Sequence, residues 1–190
     1  MISALPPIQM HVMALAKALH EKNSENGPFK QSITDGEGHL QGTIGEVLVR
    51  EFLAASGVSA EIVGSFDFDI LAKGIRLEVK TQRQNGPRIY PDYEVNVQDR
   101  LSMGLPQQDC DAYVFCRVDN DCEYGGIIGW ALSEDVYHSG RWVIRKKGSI
   151  LGSKRHATND CWCLLFSRLA QPNTLADYVL TESKKKLRNR

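Results

Sequence analysis

The sequence predicts an α/β fold in which a central β-sheet is flanked by helices. Residues 8–22 and 42–57 place apolar side chains at helical spacing. Residues 66–82 are typical of two short strands around a turn, and residues 111–118 have the continuous apolar centre of a strand covered on both faces. With 190 residues, of which 42% are hydrophobic, the chain can bury one core and is most simply a single domain.

The helices come early in the chain. After the first, predicted over residues 8–22, a polar, glycine-containing loop is expected over residues 23–41. In the second, over residues 42–57, Gly57 provides a C-terminal stop. Glu46 lies near its N-terminal end, where the helix dipole favours a carboxylate. The alternative role for Glu46 is that of a third acid leaning over the neighbouring hairpin.

Residues 66–82 are the most informative segment, because they predict a β-hairpin that carries several charges. Lys73 and Gly74 form the expected two-residue loop, since glycine supplies the positive φ that such turns need. Asp69 then lies opposite Glu78, with Cβ atoms about 5 Å apart, where like charges destabilise a strand pair. A divalent cation bound by oxygen ligands would relieve this repulsion. The alternative is a solvent-facing hairpin with ordinary surface charges.

The same register places Asp67 opposite Lys80, on one face with Gln82. Asp67 is interpreted as a salt-bridge partner that holds Lys80, so Asp67 and Gln82 are assigned supporting roles. Lys80 is expected to reach a water or a phosphate oxygen beside a bound metal. Asp69 is preferred to Asp67 as the metal ligand, because the two apolar residues after Asp69 would hold it on a buried strand.

A helix with Gly-Glu, followed by Asp and then by Glu-x-Lys on the next strand, resembles the PD-(D/E)XK nuclease superfamily. That superfamily includes restriction endonucleases and Holliday-junction resolvases. The resemblance covers residues 42–82, and no proline precedes Asp69. It implies a restriction-endonuclease-like core with a mixed central sheet over residues 42–180. An N-terminal helix and polar loop (1–41) would precede this core, and a basic tail (181–190) would follow it.

The resemblance also implies a chemistry, the metal-dependent hydrolysis of phosphodiester bonds in DNA. Asp69 and Glu78 would bind Mg²⁺, or Mn²⁺ in its place, with the Val79 backbone carbonyl as a further ligand. Lys80 would orient or activate the attacking water. Glu46 would match the helix acid of the superfamily and act through water or a second ion.

The net charge is zero, so any DNA surface must be local. Residues 141–156 contain six Lys or Arg and no acid, and the predicted DNA-binding residues are Arg141, Arg145, Lys146, Lys147, Lys154 and Arg155. Neutralising Arg145, Lys146 and Lys147 would make the salt dependence of DNA affinity shallower by about three. The alternative for residues 141–156 is an ordinary solvated face. For the basic tail, a frayed chain end is the favoured interpretation. The fallback surface is Arg76, Arg83 and Arg88.

The overall expectation is a cytoplasmic DNA nuclease. The chain has no membrane-length apolar run, and its start lacks the regions of a signal peptide. Its five cysteines, without a Cys-x-x-Cys pair, fit reduced thiols. DNA is the expected partner, and a homodimer is left open. The alternatives are a catalytically idle nucleic-acid-binding module that retains the nuclease fold, and a redox or zinc protein using its cysteines. The nuclease is favoured because all the acids and the lysine of the motif are present.

Overall fold

The computed structural model describes residues 4–26, 39–63, 65–90, 92–151 and 156–188. The helices among them are α1 (Met10–Asn26), α2 (His39–Ala55), α3 (Ser133–His138) and α4 (Leu175–Arg188). The strands are β1 (Ala60–Ile62), β2 (Ile70–Ala72), β3 (Ile75–Gln84), β4 (Glu94–Gln98), β5 (Ala112–Asp119), β6 (Gly125–Leu132), β7 (Val143–Arg145) and β8 (Cys161–Leu165). In the part of the chain that the structure describes, no helix combines the length and apolar character that a bilayer crossing requires.

The central sheet has five strands in the order β1-β2-β3-β5-β6. It is mixed, because β3 and β5 are parallel while the other neighbours are antiparallel. Helices α2 and α4 cover one face through an apolar cluster that includes Leu53, Leu77 and Val179. The predicted α/β fold, with a mixed sheet flanked by helices, is therefore confirmed at this level.

The second face of the central sheet is covered by another sheet. Strands β4, β8 and β7 form it in that order, and α3 packs beside it through Val136. Val95, Leu164 and Phe115 belong to the apolar cluster between the two sheets. The alternation of Tyr93, Val95 and Val97 predicts a strand near β4, and the pattern of residues 161–166 predicts one near β8. The sequence pattern missed β1 and β7 and did not separate the strands into two sheets.

The hairpin formed by β2 and β3 has the predicted turn and register. Ala72 pairs with Ile75, and φ is positive at both Lys73 (49°) and Gly74 (81°), which is a type I′ turn. Strand β2 begins only at Ile70. The ladder therefore ends beside Asp69, and the segment that contains Asp67 precedes the strand instead of continuing it.

The ends of α1 and α2 bear on two predictions. Helix α2 stops as expected: Gly57 has φ of 74°, and the N–H of Val58 donates to the Leu53 carbonyl at 2.8 Å, the long bond of a Schellman motif. Helices α1 and α2 take up both ends of the predicted loop at 23–41, and its remainder, 27–38, lies outside the described residues.

The predicted basic tail, residues 181–190, is helical as far as Arg188 instead of frayed; residues 189–190 lie outside the described part. The Lys186 Nζ lies 2.9 and 3.0 Å from the two Asp111 carboxylate oxygens and 3.2 Å from the Gly74 carbonyl oxygen. The end of α4 is thus held against the turn of the hairpin.

Candidate active site

Asp69 and Glu78 meet Lys80 where β2 begins beside β3. The Val79 N–H donates to Asp69 Oδ2 at 2.7 Å, and Lys80 Nζ donates to Glu78 Oε1 at 2.5 Å. The N–H and C=O of a strand residue point to the same side, so the Val79 carbonyl faces the Asp69 segment as well. The structure therefore brings the predicted Asp, Glu-x-Lys and backbone carbonyl together.

Glu46 is brought toward this cluster by an unusually close approach of α2 to β3. A Cβ placed on Gly45 would lie 1.9 Å from Thr81 Oγ1 and 3.4 Å from Cys116 Cβ. Only glycine allows the helix to pack at this distance, and Glu46 is the next residue. Sequence reasoning did not assign a role to Gly45, although its position directly before the helix acid was a usable signal.

Two carboxyl groups of this cluster, Glu46 and Asp69, have raised pKa values. Burial raises the pKa of Glu46 to about 7, and the negative charge of Glu78 contributes. Burial also raises the pKa of Asp69 well above its usual range; Glu78 and Glu46 add to this, while Lys80 and the Val79 N–H oppose it. The acids therefore lie within electrostatic range, and a further positive charge would stabilise their ionised forms.

Lys80 remains a cation in this environment. Burial lowers its pKa, but the charge and hydrogen bond of Glu78, together with the charge of Asp69, outweigh burial, so the pKa lies above its ordinary value. An ammonium with a raised pKa is a poor base at neutral pH. Lys80 is therefore suited to orienting a water or stabilising negative charge, not to removing a proton.

A wall of polar side chains lies beside the site, formed by Tyr113 of β5, Tyr137 of α3 and Cys110, which precedes β5. Tyr113 pairs with Glu78 in the β3–β5 ladder, and its hydroxyl lies 2.7 Å from that of Tyr137. Burial raises the pKa of the Cys110 thiol to about 11, with a further contribution from Glu78 and an opposing one from Lys80. Paired residues of adjacent strands share a face, so Glu78 and Lys80 are on the side of the central sheet that faces the second sheet. Sequence reasoning missed this wall because its members are distant along the chain.

Asp67 does not form the predicted salt bridge. The ion pair of Lys80 found within the described ranges is with Glu78, and the Asp67 N–H instead donates to Ser65 Oγ at 3.3 Å. The physical reason is that β2 begins at Ile70, so pairing opposite Lys80 does not extend back to Asp67.

Gln82 supports the fold at the junction of the two sheets. Its Oε1 accepts a hydrogen bond of 2.9 Å from Nη2 of Arg117, a buried residue that also donates to the Glu94 carbonyl at 3.1 Å. The same guanidinium stacks on Tyr93 with its carbon 4.2 Å from the ring centroid. Gln82 therefore anchors Arg117 between the sheets.

The predicted basic surface is largely neutralised within the protein. Its members meet acids from other parts of the chain: Arg141 pairs with Asp135, Arg145 with Glu94 at 2.9 Å, and Lys146 with Asp160 at 2.7 Å. The Lys147 backbone N–H also donates to Asp160 at 2.9 Å. Lys154 and Arg155 lie outside the described residues. In the fallback set, Arg76 contacts Asp109 and Asp111, whereas Arg83 and Arg88 are exposed.

The ability of the site to hold a metal depends on these same contacts. Across the described residues, no three His, Cys, Asp or Glu side chains form a group that could hold a metal ion. Glu78 is turned toward Lys80, and Asp69 toward the Val79 N–H. The carboxylate and carbonyl oxygens are nevertheless the donor type that Mg²⁺ prefers. All five cysteines are free thiols.

No protein-family model matches this chain, and no curated protein matches it. Fold and site together define an α/β protein with a mixed sheet, in which Asp69, Glu78 and a charged Lys80 meet at β3 and Glu46 of α2 lies within electrostatic range. The function must be inferred from that arrangement.

Proposed function

We propose that this protein is a Mg²⁺-dependent DNA nuclease that hydrolyses phosphodiester bonds, with Mn²⁺ as a substitute. The proposal is carried by one observation, the meeting of Asp69, Glu78 and Lys80 beside the Val79 carbonyl. Glu46 supplies a third carboxylate within electrostatic range. Phosphodiester hydrolysis needs positive charge at the phosphate and an oriented water, and such a cluster is suited to hold both.

The order of the secondary-structure elements supports the same proposal. A helix (α2) precedes an antiparallel hairpin (β2–β3), and β3 then pairs in parallel with β5. This arrangement agrees with the mixed sheet that the resemblance to PD-(D/E)XK nucleases implies. We therefore include a restriction-endonuclease-like core in the proposal.

The residues fit Mg²⁺ by charge and by donor type. Asp69, Glu78 and the Val79 carbonyl would hold the ion, and Glu46 would complete the set directly or through water. When bound, Mg²⁺ polarises phosphate oxygens and lowers the pKa of a coordinated water. Glu78 must exchange its contact with Lys80 to take part, which frees the Lys80 ammonium to stabilise developing negative charge.

A second candidate function is a catalytically idle nucleic-acid-binding module with the same fold. The observation that favours it is the ion pair of Glu78 with Lys80 at 2.5 Å, which engages a carboxylate that a metal would need. The two functions differ in what Mg²⁺ does. A nuclease must bind Mg²⁺ and cut, whereas an idle module binds DNA without cutting it.

The deciding experiment incubates the purified protein with plasmid, linear and branched DNA in Mg²⁺ or in EDTA. Cleavage in Mg²⁺ only, abolished in Asp69→Asn and Glu78→Gln, is expected. Glu61→Gln serves as the control, since Glu61 is an exposed acid on β1 of the same sheet. Full activity in either site variant would exclude the proposed site, and DNA binding without cleavage would favour the idle module.

Metal binding has a separate readout in thermal unfolding. Mg²⁺ that binds the folded protein raises the melting temperature by mass action. The increase is expected in the wild type and in Glu61→Gln, and it should disappear in Asp69→Asn and in Glu78→Gln. A wild-type melting temperature that does not respond to millimolar Mg²⁺ or Mn²⁺ would argue against a metal at this site.

A further inference from the structure

Arg100 is a buried arginine whose guanidinium is incompletely satisfied. It follows β4 and begins the 3₁₀ turn Arg100–Met103, and only 7% of the residue is exposed. Its Nε and Nη2 atoms are buried without a hydrogen-bond partner among the described residues. Leaving charged N–H groups buried and unpaired is costly and uncommon in folded proteins. An anion that accepts from these two atoms would remove that cost.

The group that covers Arg100 is an aromatic ring and not an acid. The guanidinium carbon lies 4.2 Å from the centroid of the Phe66 ring, and Phe66 is 57% exposed. Stacking on a ring face compensates part of the charge. It leaves the N–H groups in the guanidinium plane unpaired, however, because the ring lies above that plane. Because more than half of Phe66 is exposed, displacing its ring would disrupt little packing.

Arg100 lies near the candidate active site. Phe66 is in the turn closed by the Phe68 N–H, which donates to Ser65 Oγ at 3.0 Å. Asp69 is three residues beyond Phe66, a span of at most about 10 Å. From the other side, burial raises the pKa of Tyr137, while Lys80 lowers it and Asp99, the neighbour of Arg100, raises it. Lys80 and Asp99, the neighbour of Arg100, therefore both lie within electrostatic range of the Tyr137 hydroxyl.

We propose that Arg100 binds a backbone phosphate of the DNA, next to the phosphate that is cleaved, once Phe66 turns aside. The inference rests on the proposed function and adds a substrate-positioning residue to it. The planar guanidinium offers adjacent N–H donors that match two phosphate oxygens, which a lysine cannot reproduce. Phosphate is preferred to a carboxylate ligand because Phe66, which covers Arg100, is only three residues before Asp69 of the proposed nuclease site, where a phosphodiester is the expected anion.

The test measures DNA binding without cleavage. A fluorescein-labelled 20-base-pair duplex is titrated by anisotropy in Ca²⁺ at several salt concentrations. Arg100→Gln should bind about ten-fold more weakly, as for the loss of one charged hydrogen-bonded contact, with a salt slope shallower by about one. Arg100→Lys should keep the slope, since the charge remains, but bind less tightly. The matched control is Arg168→Gln, which removes an exposed arginine from another 3₁₀ turn, Phe166–Arg168, and should change neither quantity.

A further variant separates phosphate binding from a purely structural role. Phe66→Ala uncovers the guanidinium, so it should bind DNA at least as tightly as the wild type. If Arg100→Gln does not fold, Arg100→Lys and Phe66→Ala decide the question. The proposal is overturned if Arg100→Gln folds and keeps the wild-type affinity and slope, or if Phe66→Ala binds as poorly as the Arg100 variants.

The outcomes also distinguish this inference from the nuclease proposal. DNA binding that depends on Arg100, in a protein that never cuts DNA, would support the phosphate site and overturn the nuclease. Cleavage of DNA by a protein whose DNA affinity does not change in the Arg100 variants would support the nuclease and overturn the phosphate site. A wild type that binds no DNA in Ca²⁺ or Mg²⁺ would overturn both.

Discussion

Glu46 and Asp69 retain their protons to a higher pH than exposed carboxyl groups do, because burial and mutual repulsion raise the pKa of each. An acid whose pKa is higher in the folded state favours folding below its unfolded pKa. That contribution is lost as the pH rises through the folded value. For Glu46 this window runs from its ordinary value of 4.5 to about 7. Asp69 acts in the same direction, since its pKa is also raised.

The first prediction is that the metal-free protein loses stability as the pH increases from about 5 to about 7. In EDTA, the urea midpoint of the wild type should fall across this range. Glu46→Gln should show a shallower fall, because the amide does not ionise and because it removes one negative charge from beside Asp69. Glu61→Gln should follow the wild type. A wild-type midpoint that is flat or rises with pH would contradict the assigned electrostatics.

The second prediction at the scale of residues concerns the catalytic role of Lys80. Lys80→Met should bind DNA but cut it at least about one hundred-fold more slowly, as for the loss of one oriented charge that acts in the transition state. Single-turnover cleavage measures this rate. Lys73→Met, which removes the exposed lysine of the hairpin turn, should cut at the wild-type rate. If Lys80→Met cuts normally, the assigned role of Lys80 is wrong.

At the scale of elements, the packing of α2 on β3 decides whether the helix acid reaches the strand acids. The contact is made at Gly45, where an added Cβ would overlap Thr81 Oγ1. Gly42, in the same helix, has nothing within 4 Å of an added Cβ. The two glycines therefore differ in packing, although both lie within one helix.

The third prediction uses this pair of glycines. Gly45→Ala should lower the free energy of unfolding by about 1–3 kcal/mol, since it overpacks the helix–strand contact. It should also weaken the stabilisation by Mg²⁺, because Glu46 moves away with the helix. Gly42→Ala should be neutral or stabilising by up to about 1 kcal/mol, because alanine is the better helix former. Urea unfolding with and without Mg²⁺ measures both effects. Equal responses of the two variants would contradict the packing argument.

At the scale of the whole molecule, folding redistributes the charge of a chain with no net charge. Arg145 and Lys146 come from a segment without acids, yet the structure pairs them with Glu94 and Asp160. Such pairs are exposed at the lysine and arginine ends, where water screens the attraction, and they contribute little stability. Their effect is instead to reduce the local positive potential that a DNA backbone would meet.

The fourth prediction concerns the salt dependence of DNA binding. Replacing Arg145, Lys146 and Lys147 together by glutamine should make the slope shallower by about one, not by three, because two of them already have acidic partners. Replacing the exposed Arg83 and Arg88 should make it shallower by about two. Anisotropy titrations at several salt concentrations measure both slopes. A change of about three in the triple variant would restore the basic segment as the main DNA surface.

Local sequence was sufficient for the elements around the site. Positive φ at Lys73 and Gly74 sets the hairpin register, so these two residues were enough to predict which residues of β2 and β3 pair. The end of helix α2 at Gly57 likewise depends on the backbone freedom of a single glycine. Spacing could not show that β2 begins at Ile70, since the end of a strand depends on which neighbouring segments pair with it. For that reason, the predicted pairing of Asp67 with Lys80 was wrong.

By itself the sequence determined the α/β class, the hairpin and the charged groups of the candidate site, because these depend on periodicity and on turn chemistry within short segments. Only the tertiary structure decided which groups face one another. The acids beside the basic segment and the covering of Arg100 by Phe66 are contacts across the fold. Burial and the like charge of Glu78, which raise the pKa of Glu46, arise only when distant segments pack together, as does the burial that leaves Arg100 unsatisfied.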